Sequence, residues 1–173
     1  MRLRIGELLV RRGVLTPEQR DRVLLEQRVR HRPFGVLAEE LFALDPRALT
    51  QAWADQFEAD APRVDPRREP VETDALLLLS RRQAWQFKLF PMRFESDELV
   101  LCTTRTHLPR GLNFAYRHVG PACCFVLAEP GQLTEALQRH YPWEGGRELL
   151  ESQLASADGP DHAPSRERGP PGG

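Results

Sequence analysis

Few residue types in this chain are spaced for chemistry. His31, His107, His118, His140 and His162 stand with no cysteine or carboxylate at ligand spacing, so no metal site is read. A phosphate-cradling P-loop needs a Gly-Lys pair, and the single lysine, Lys88, follows Phe87. No Gly-x-Ser-x-Gly elbow occurs, and no acid, base and nucleophile converge on one motif, so the expectation is a protein that is not an enzyme. Residues 4–27, RIGELLVRRGVLTPEQRDRVLLEQ, hold the functional types: a guanidinium at Arg4, glycines at 6 and 13, and a closing amide at Gln27. Each also has a plain reading. Arg4 suits a solvated surface, Gly6 and Gly13 suit turns, and Gln27 suits a helix-to-helix hydrogen bond.

The elements that must position these residues are written twice. After a spacer at 28–32, residues 33–56 read PFGVLAEELFALDPRALTQAWADQ. Gly6/Gly35, Leu8/Leu37, Leu15/Leu44, Pro17/Pro46 and Gln27/Gln56 are identical between the copies, and three of these pairs are not generic core residues. In the first copy Ile5, Leu8 and Leu9 give the stripe of a short helix. Gly13 stands where a left-handed cap is wanted, and Thr16, Pro17 and Gln19 form a capping box that opens a second helix through Val23, Leu24 and Gln27. In the second copy Phe34, Leu37, Ala38 and Leu41 make the stripe. Asp45 and Pro46 repeat the cap, and Leu49, Ala52 and Trp53 line the next helix. Residues 1–60 are therefore expected to form a bundle of two tandem helix-turn-helix repeats.

Residues 61–143 read as a small α/β subdomain with a three-stranded sheet, giving an α+β protein. A short helix spans 73–80, and Ser80 with Gln83 caps a helix through Trp85 and Phe87. Residues 88–94 form a strand whose Pro91 marks an exposed edge. The sequence ESDE turns the chain into a second strand at 99–103. A helix from Pro109 buries Leu112, Ala115, Tyr116 and Val119, residues 123–127 form a buried strand, and a helix from Pro130 turns Leu133, Ala136, Leu137 and Tyr141 inward, with Trp143 sealing its end. Residues 144–173 are polar and rich in Gly and Pro, and are expected to be a disordered tail. A formal charge of −1 argues against a partner that is a nucleic-acid polymer. The longest apolar run, residues 75–79, is too short to span a membrane, and the first residues are too charged for a signal segment. Cys102, Cys123 and Cys124 read as reduced, buried thiols, and a cytoplasmic location is expected.

The Arg-x-Gly, Gly and Gln spacing of residues 4–27 and its second writing resemble the MshE-type N-terminal (MshEN) domain of type II secretion and type IV pilus assembly ATPases. That family carries two 24-residue motifs separated by five residues, and the remainder to about residue 143 is similar to its smaller α/β part. The resemblance implies a cyclic di-GMP receptor, with no other cofactor. It places Arg4 on a guanine edge or phosphate, Gly6 and Gly13 at close backbone approaches, Leu9, Val10 and Leu24 against the purine, Ile5 among the ligand-binding residues, and Gln27 on the ligand or between helices. In the second motif it carries over to Gly35, Leu49 and Gln56. This sequence departs from the pattern: Arg20 replaces an aliphatic, Pro33 replaces the second Arg with Arg32 one residue out of register, and Ala38 and Glu39 replace an aliphatic pair. Phe42 replaces a Gly, which costs about 1–2 kcal/mol if the left-handed turn is kept, so a changed turn is expected. The resemblance equally implies a protein-interaction adaptor that docks on a secretion or pilus ATPase or an inner-membrane platform protein without nucleotide. A third reading is a regulatory domain serving a separately encoded glycosyltransferase or ATPase.

Overall fold

The computed structural model describes residues 3–45 and 61–145. Strand β1 (Leu3–Arg4) runs straight into α1 (Ile5–Arg11), followed by α2 (Pro17–Arg30) and α3 (Phe34–Phe42). Pro46, Leu49, Ala52, Trp53 and Gln56 lie outside the described residues, as does the tail from residue 146. The chain continues with α4 (Thr73–Leu76), α5 (Arg81–Phe87), β2 (Phe90–Glu95), β3 (Glu98–Thr103), α6 (Leu108–His118), β4 (Cys123–Leu127) and α7 (Pro130–His140). The fold is α+β.

The three expected strands are present, and β1 adds a fourth, in the order β1-β4-β3-β2. Strands β2 and β3 form an antiparallel hairpin in which Ser96 and Asp97 both adopt positive φ, the geometry that matches strand twist in a two-residue turn. Pro91 stands on β2 at the sheet edge, beside a register shift before Arg93, but the edge is not exposed as expected: Pro91 is buried and Glu72 N–H donates to the Met92 carbonyl at 2.7 Å. Helix α6 then carries the chain over to β4, which runs parallel to β3. Strand β1 closes the other side antiparallel to β4, with Leu3 opposite Phe125 and Arg4 opposite Cys124.

Alternation along the strands splits the core. On one face Leu99, Leu101, Cys123, Phe125 and Leu127 pack with Leu112 and Ala115 of α6 and with Ile5, Leu8, Leu9, Val23 and Leu37 of the helical repeat. On the other, Phe90, Met92, Val100, Cys102 and Val126 pack with Trp85 of α5 and Leu133 and Leu137 of α7. The adjacent Cys123 and Cys124 thus enter different clusters, and all three cysteines are buried and outside any disulfide among the described residues. Burial pushes the Cys102 and Cys123 thiols far up.

The caps form as the sequence dictates. Thr16 accepts from the Gln19 backbone at 3.2 Å while the Gln19 side chain accepts from Thr16 N–H at 2.9 Å, and Ser80 and Gln83 repeat the pair. Gly13 takes φ +69° after α1. In the second copy Phe42 remains helical and Ala43, one position later in the repeat, takes the left-handed cap at φ 50°. The altered turn therefore lengthens α3 to 9 residues against 7 in α1.

The repeated glycine has a packing cause in each copy. A Cβ on Gly35 would lie 2.2–2.5 Å from the Tyr116 ring, and one on Gly6 would lie 2.9 Å from Arg20 Cγ and 3.3 Å from the Phe34 ring. Gly35→Ala is therefore expected to lower stability by about 1–3 kcal/mol. Gly131→Ala in α7, where nothing stands within 4 Å, is expected to raise it by about 0.5–1 kcal/mol. Urea melts of the two variants check the pair, and equal midpoints would mean that Tyr116 does not cover Gly35.

A polar clamp fixes the approach to α4. Arg67 donates from Nε and Nη2 to Asp65, each at 2.8 Å, and from Nη1 to Glu135 on α7 at 3.1 Å. Hydrogen bonding to Arg67 holds the Asp65 carboxyl down at about 2. A depressed acid contributes stability above its unfolded value and loses it as pH falls through its folded value. The melting-temperature gap between the native protein and Asp65→Asn is therefore expected to be full above about pH 4 and to close toward pH 2; a gap that is constant across this window would contradict it.

Candidate functional site

Arg4 reaches its position by backbone pairing. It ends β1, sits opposite Cys124 and occupies the extended cap position of α1. Its Nε donates to both carboxylate oxygens of Glu98 at 2.7 and 2.9 Å, and its Nη1 to Glu7 at 3.1 Å. The Glu98 hydrogen bond outweighs partial desolvation and raises the guanidinium further above its usual range, so Arg4 stays charged at any pH of interest. The side chain keeps 38% of its surface, so the pair is worth about 0–1 kcal/mol to stability and acts mainly as an aiming device.

Gln27 arrives from α2 and is 3% exposed. Its Nε2 donates to the Gly120 carbonyl at 2.7 Å, tying α2 to the loop before β4. Its Oε1 is buried and has no hydrogen-bond partner. Such an orphan acceptor costs about 1–3 kcal/mol unless a donor arrives from outside the fold.

Both residues line one cleft of about 270 Å³. Arg4, Ile5, Gly6 and Glu7 form one wall, Arg20, Asp21, Leu24 and Gln27 a second, and Phe34, Glu98, Ala115, Val119 and residues 121–123 complete it. A hollow of about 530 Å³ adjoins it, sharing Leu24, Gln27, Glu98, Pro121 and Ala122. The two together fall in the range of small-molecule sites. Apolar walls, a guanidinium donor, carboxylate acceptors and an unfilled amide oxygen suit a flat heterocycle with donors and acceptors on its edge.

Of the residues carried over from the resemblance, the structure gathers Arg4, Ile5, Gly6, Leu24 and Gln27 on the cleft. It leaves the other described ones elsewhere. Leu9 is 0% exposed in the core, and Val10 packs beside it. Gly13 is exposed with nothing within 4 Å of a Cβ, and Gly35 is covered by Tyr116. Leu49 and Gln56 are outside the described residues. Arg32, the cation nearest the missing second arginine, is taken by Glu40, which also accepts from Arg30 at 2.8 Å. Arg20 does line the cleft and pairs with Asp21 at 2.7 Å.

Glu98, Glu7, Asp21 and Phe34 also line the cleft without having been singled out in the sequence as site residues. Glu98 is the clearest case, because in sequence it is only the last letter of a hairpin turn. Its role comes from the pairing of β3 with β4 and of β4 with β1, which brings it to Arg4. Among the described residues no three His, Cys, Asp or Glu side chains gather to hold a metal ion, and no helix is long and apolar enough to cross a membrane.

The MshEN domain family model matches residues 59–147, just over half of the chain. The match falls on the α/β part and leaves the 24-residue repeats at 4–27 and 33–56 outside it. A solved structure described as MshE with cdg is 26% identical to the chain, with 81% of this chain and 100% of that one covered and a TM-score of 0.41. No curated protein matches the chain.

The orphaned acceptor yields a stability test. Gln27→Met removes the unsatisfied oxygen and also strips the half-exposed Gly120 carbonyl of its donor, which water can replace, so the free protein is expected to change by no more than about 1 kcal/mol. Thermal melts check this, and a loss several times larger would make Gln27 a structural pin alone.

Proposed function

This chain belongs to the MshEN domain family, and from that premise we propose that it is a non-enzymatic regulatory module that binds cyclic di-GMP in the Arg4–Gln27 cleft. The observation that carries the reading is the buried Gln27 Oε1, left without a partner on the same cleft as a guanidinium that Glu98 and Glu7 hold in place. Guanine offers O6 and N7 to an arginine fork and N–H donors to an amide or carboxylate oxygen. Ile5, Leu24 and Phe34 supply apolar surface for the ring.

The ligand is two-fold symmetric, whereas this site is not. Arg4 has no counterpart at Pro33, and the second-copy glycine is occupied by Tyr116. Binding through one half-site is accordingly weaker than through two equivalent halves. A second reading, an adaptor that binds a secretion or pilus component without nucleotide, is favoured by the ion pairs that already satisfy Arg4.

Calorimetric titration with cyclic di-GMP separates the two. Saturable binding is expected, weakened at least about tenfold, or 1.4 kcal/mol, by Arg4→Ala and also reduced by Gln27→Met. Absence of heat up to about 1 mM ligand, with the protein folded, would assign the module to the adaptor class.

A further inference from the structure

On the sheet face opposite the Arg4 cleft, α5 and the segment after α7 border an open groove of about 600 Å³. Its described lining is Arg81, Arg82, Trp85, Gln86, Lys88 and Trp143: three cations, two indoles and an amide, with no carboxylate. Among the described residues no carboxylate forms an ion pair with Arg81, Arg82 or Lys88. A groove of this charge has electrostatic room for an anion.

The inner indole is fixed in place and the outer one rests against it. Trp85 is 7% exposed and donates its Nε1–H to the Tyr141 carbonyl at 2.8 Å. Trp143 packs on it at 5.4 Å between ring centroids and 58° between planes, yet keeps 46% of its surface in solvent. The Lys88 ammonium lies 4.5 Å from the Trp85 ring centroid, and its backbone is held at φ 50° with its carbonyl accepting from the Thr103 hydroxyl. Arg81 donates to the Pro142 carbonyl at 3.3 Å, which sets it beside Trp143.

We propose that this groove binds a mononucleotide-like aromatic phosphate, with the ring stacked on Trp143 and the phosphate held by Arg81 and Arg82. Stacking is tolerant of base identity because every base has a π face. Arginine forks suit phosphate oxygens, and Lys88 adds a point charge at the groove wall. The volume lies in the small-molecule range. The inference is independent of the Arg4 cleft and of what binds there.

Calorimetry on the full chain with AMP, GMP and inorganic phosphate tests it. AMP and GMP are expected to bind alike, saturating below about 1 mM, with phosphate alone at least about tenfold weaker. Arg82→Gln, at an exposed position, and Trp143→Ala should each weaken both nucleotides at least about tenfold, with melting curves confirming that both variants fold. Arg4→Ala, which removes the cleft's proposed guanine contact, should leave AMP binding unchanged, and AMP and GMP are compared in that variant. No saturation by AMP, phosphate binding as well as AMP, or loss of AMP binding in Arg4→Ala would each overturn the proposal. Heat with a hexaglutamate peptide but none with nucleotides would also overturn it and give the groove to a protein partner.

Discussion

The pairing of two residues at the start of the chain with the middle of β4 governs the arrangement. Leu3 opposite Phe125 and Arg4 opposite Cys124 form a short antiparallel ladder, and α1 begins at the next residue. That ladder decides where the helical repeat sits on the sheet, which core residues of α1 and α2 meet Leu99, Leu101 and Phe125, and where the Arg4 side chain points. It also brings Arg4 within hydrogen-bond distance of Glu98, a residue 94 positions away. A hydrogen-bonded strand fixes a side chain more closely than a loop does, so the guanidinium is held in one orientation by the fold itself.

The duplicated unit shows how packing and chemistry separate in one sequence. Leu8 and Leu37 are both buried core residues, and Gly6 and Gly35 both admit an aromatic ring against a helix backbone. The structural half of the repeat is thus kept in both copies. The cleft-facing half differs. The first copy presents Arg4 and the unfilled Gln27 oxygen to a cleft, while in the second Arg30 and Arg32 converge on Glu40 and Tyr116 closes over Gly35. Tyr116 is itself strained in polar terms: its hydroxyl is buried without a partner and burial pushes its pKa up to about 12.

Much of this was legible in the sequence because local rules decide it. The capping boxes at Thr16 and Ser80, the left-handed Gly13, the edge position of Pro91 and the strand at residues 123–127 each depend on neighbours within a few residues. The displaced turn after α3 also follows locally, since Phe42 is poorly suited to the conformation that Gly13 adopts. Strand β1 was not legible: a two-residue strand has no periodicity, and it exists only through its partner. Glu98 was hidden for the same reason. Leu9 and Val10 show the converse limit, because a helical stripe does not say whether an apolar residue faces a ligand or the core. The family model falls on residues 59–147, where the sequence offered only ordinary strand and helix patterns, while the repeat that suggested a ligand lies outside that match.

The ladder between residues 3–4 and 124–125 has a temporal meaning as well as a spatial one. On the ribosome, Arg4 is made before its partner strand, so the cleft lacks the side built from Glu98 and residues 121–123 until that part of the chain has been synthesised. Contacts so distant along the chain are slow to form because loop closure must precede any gain. The cleft is therefore completed only once β4 is present, with α7 alone among the described helices made later still.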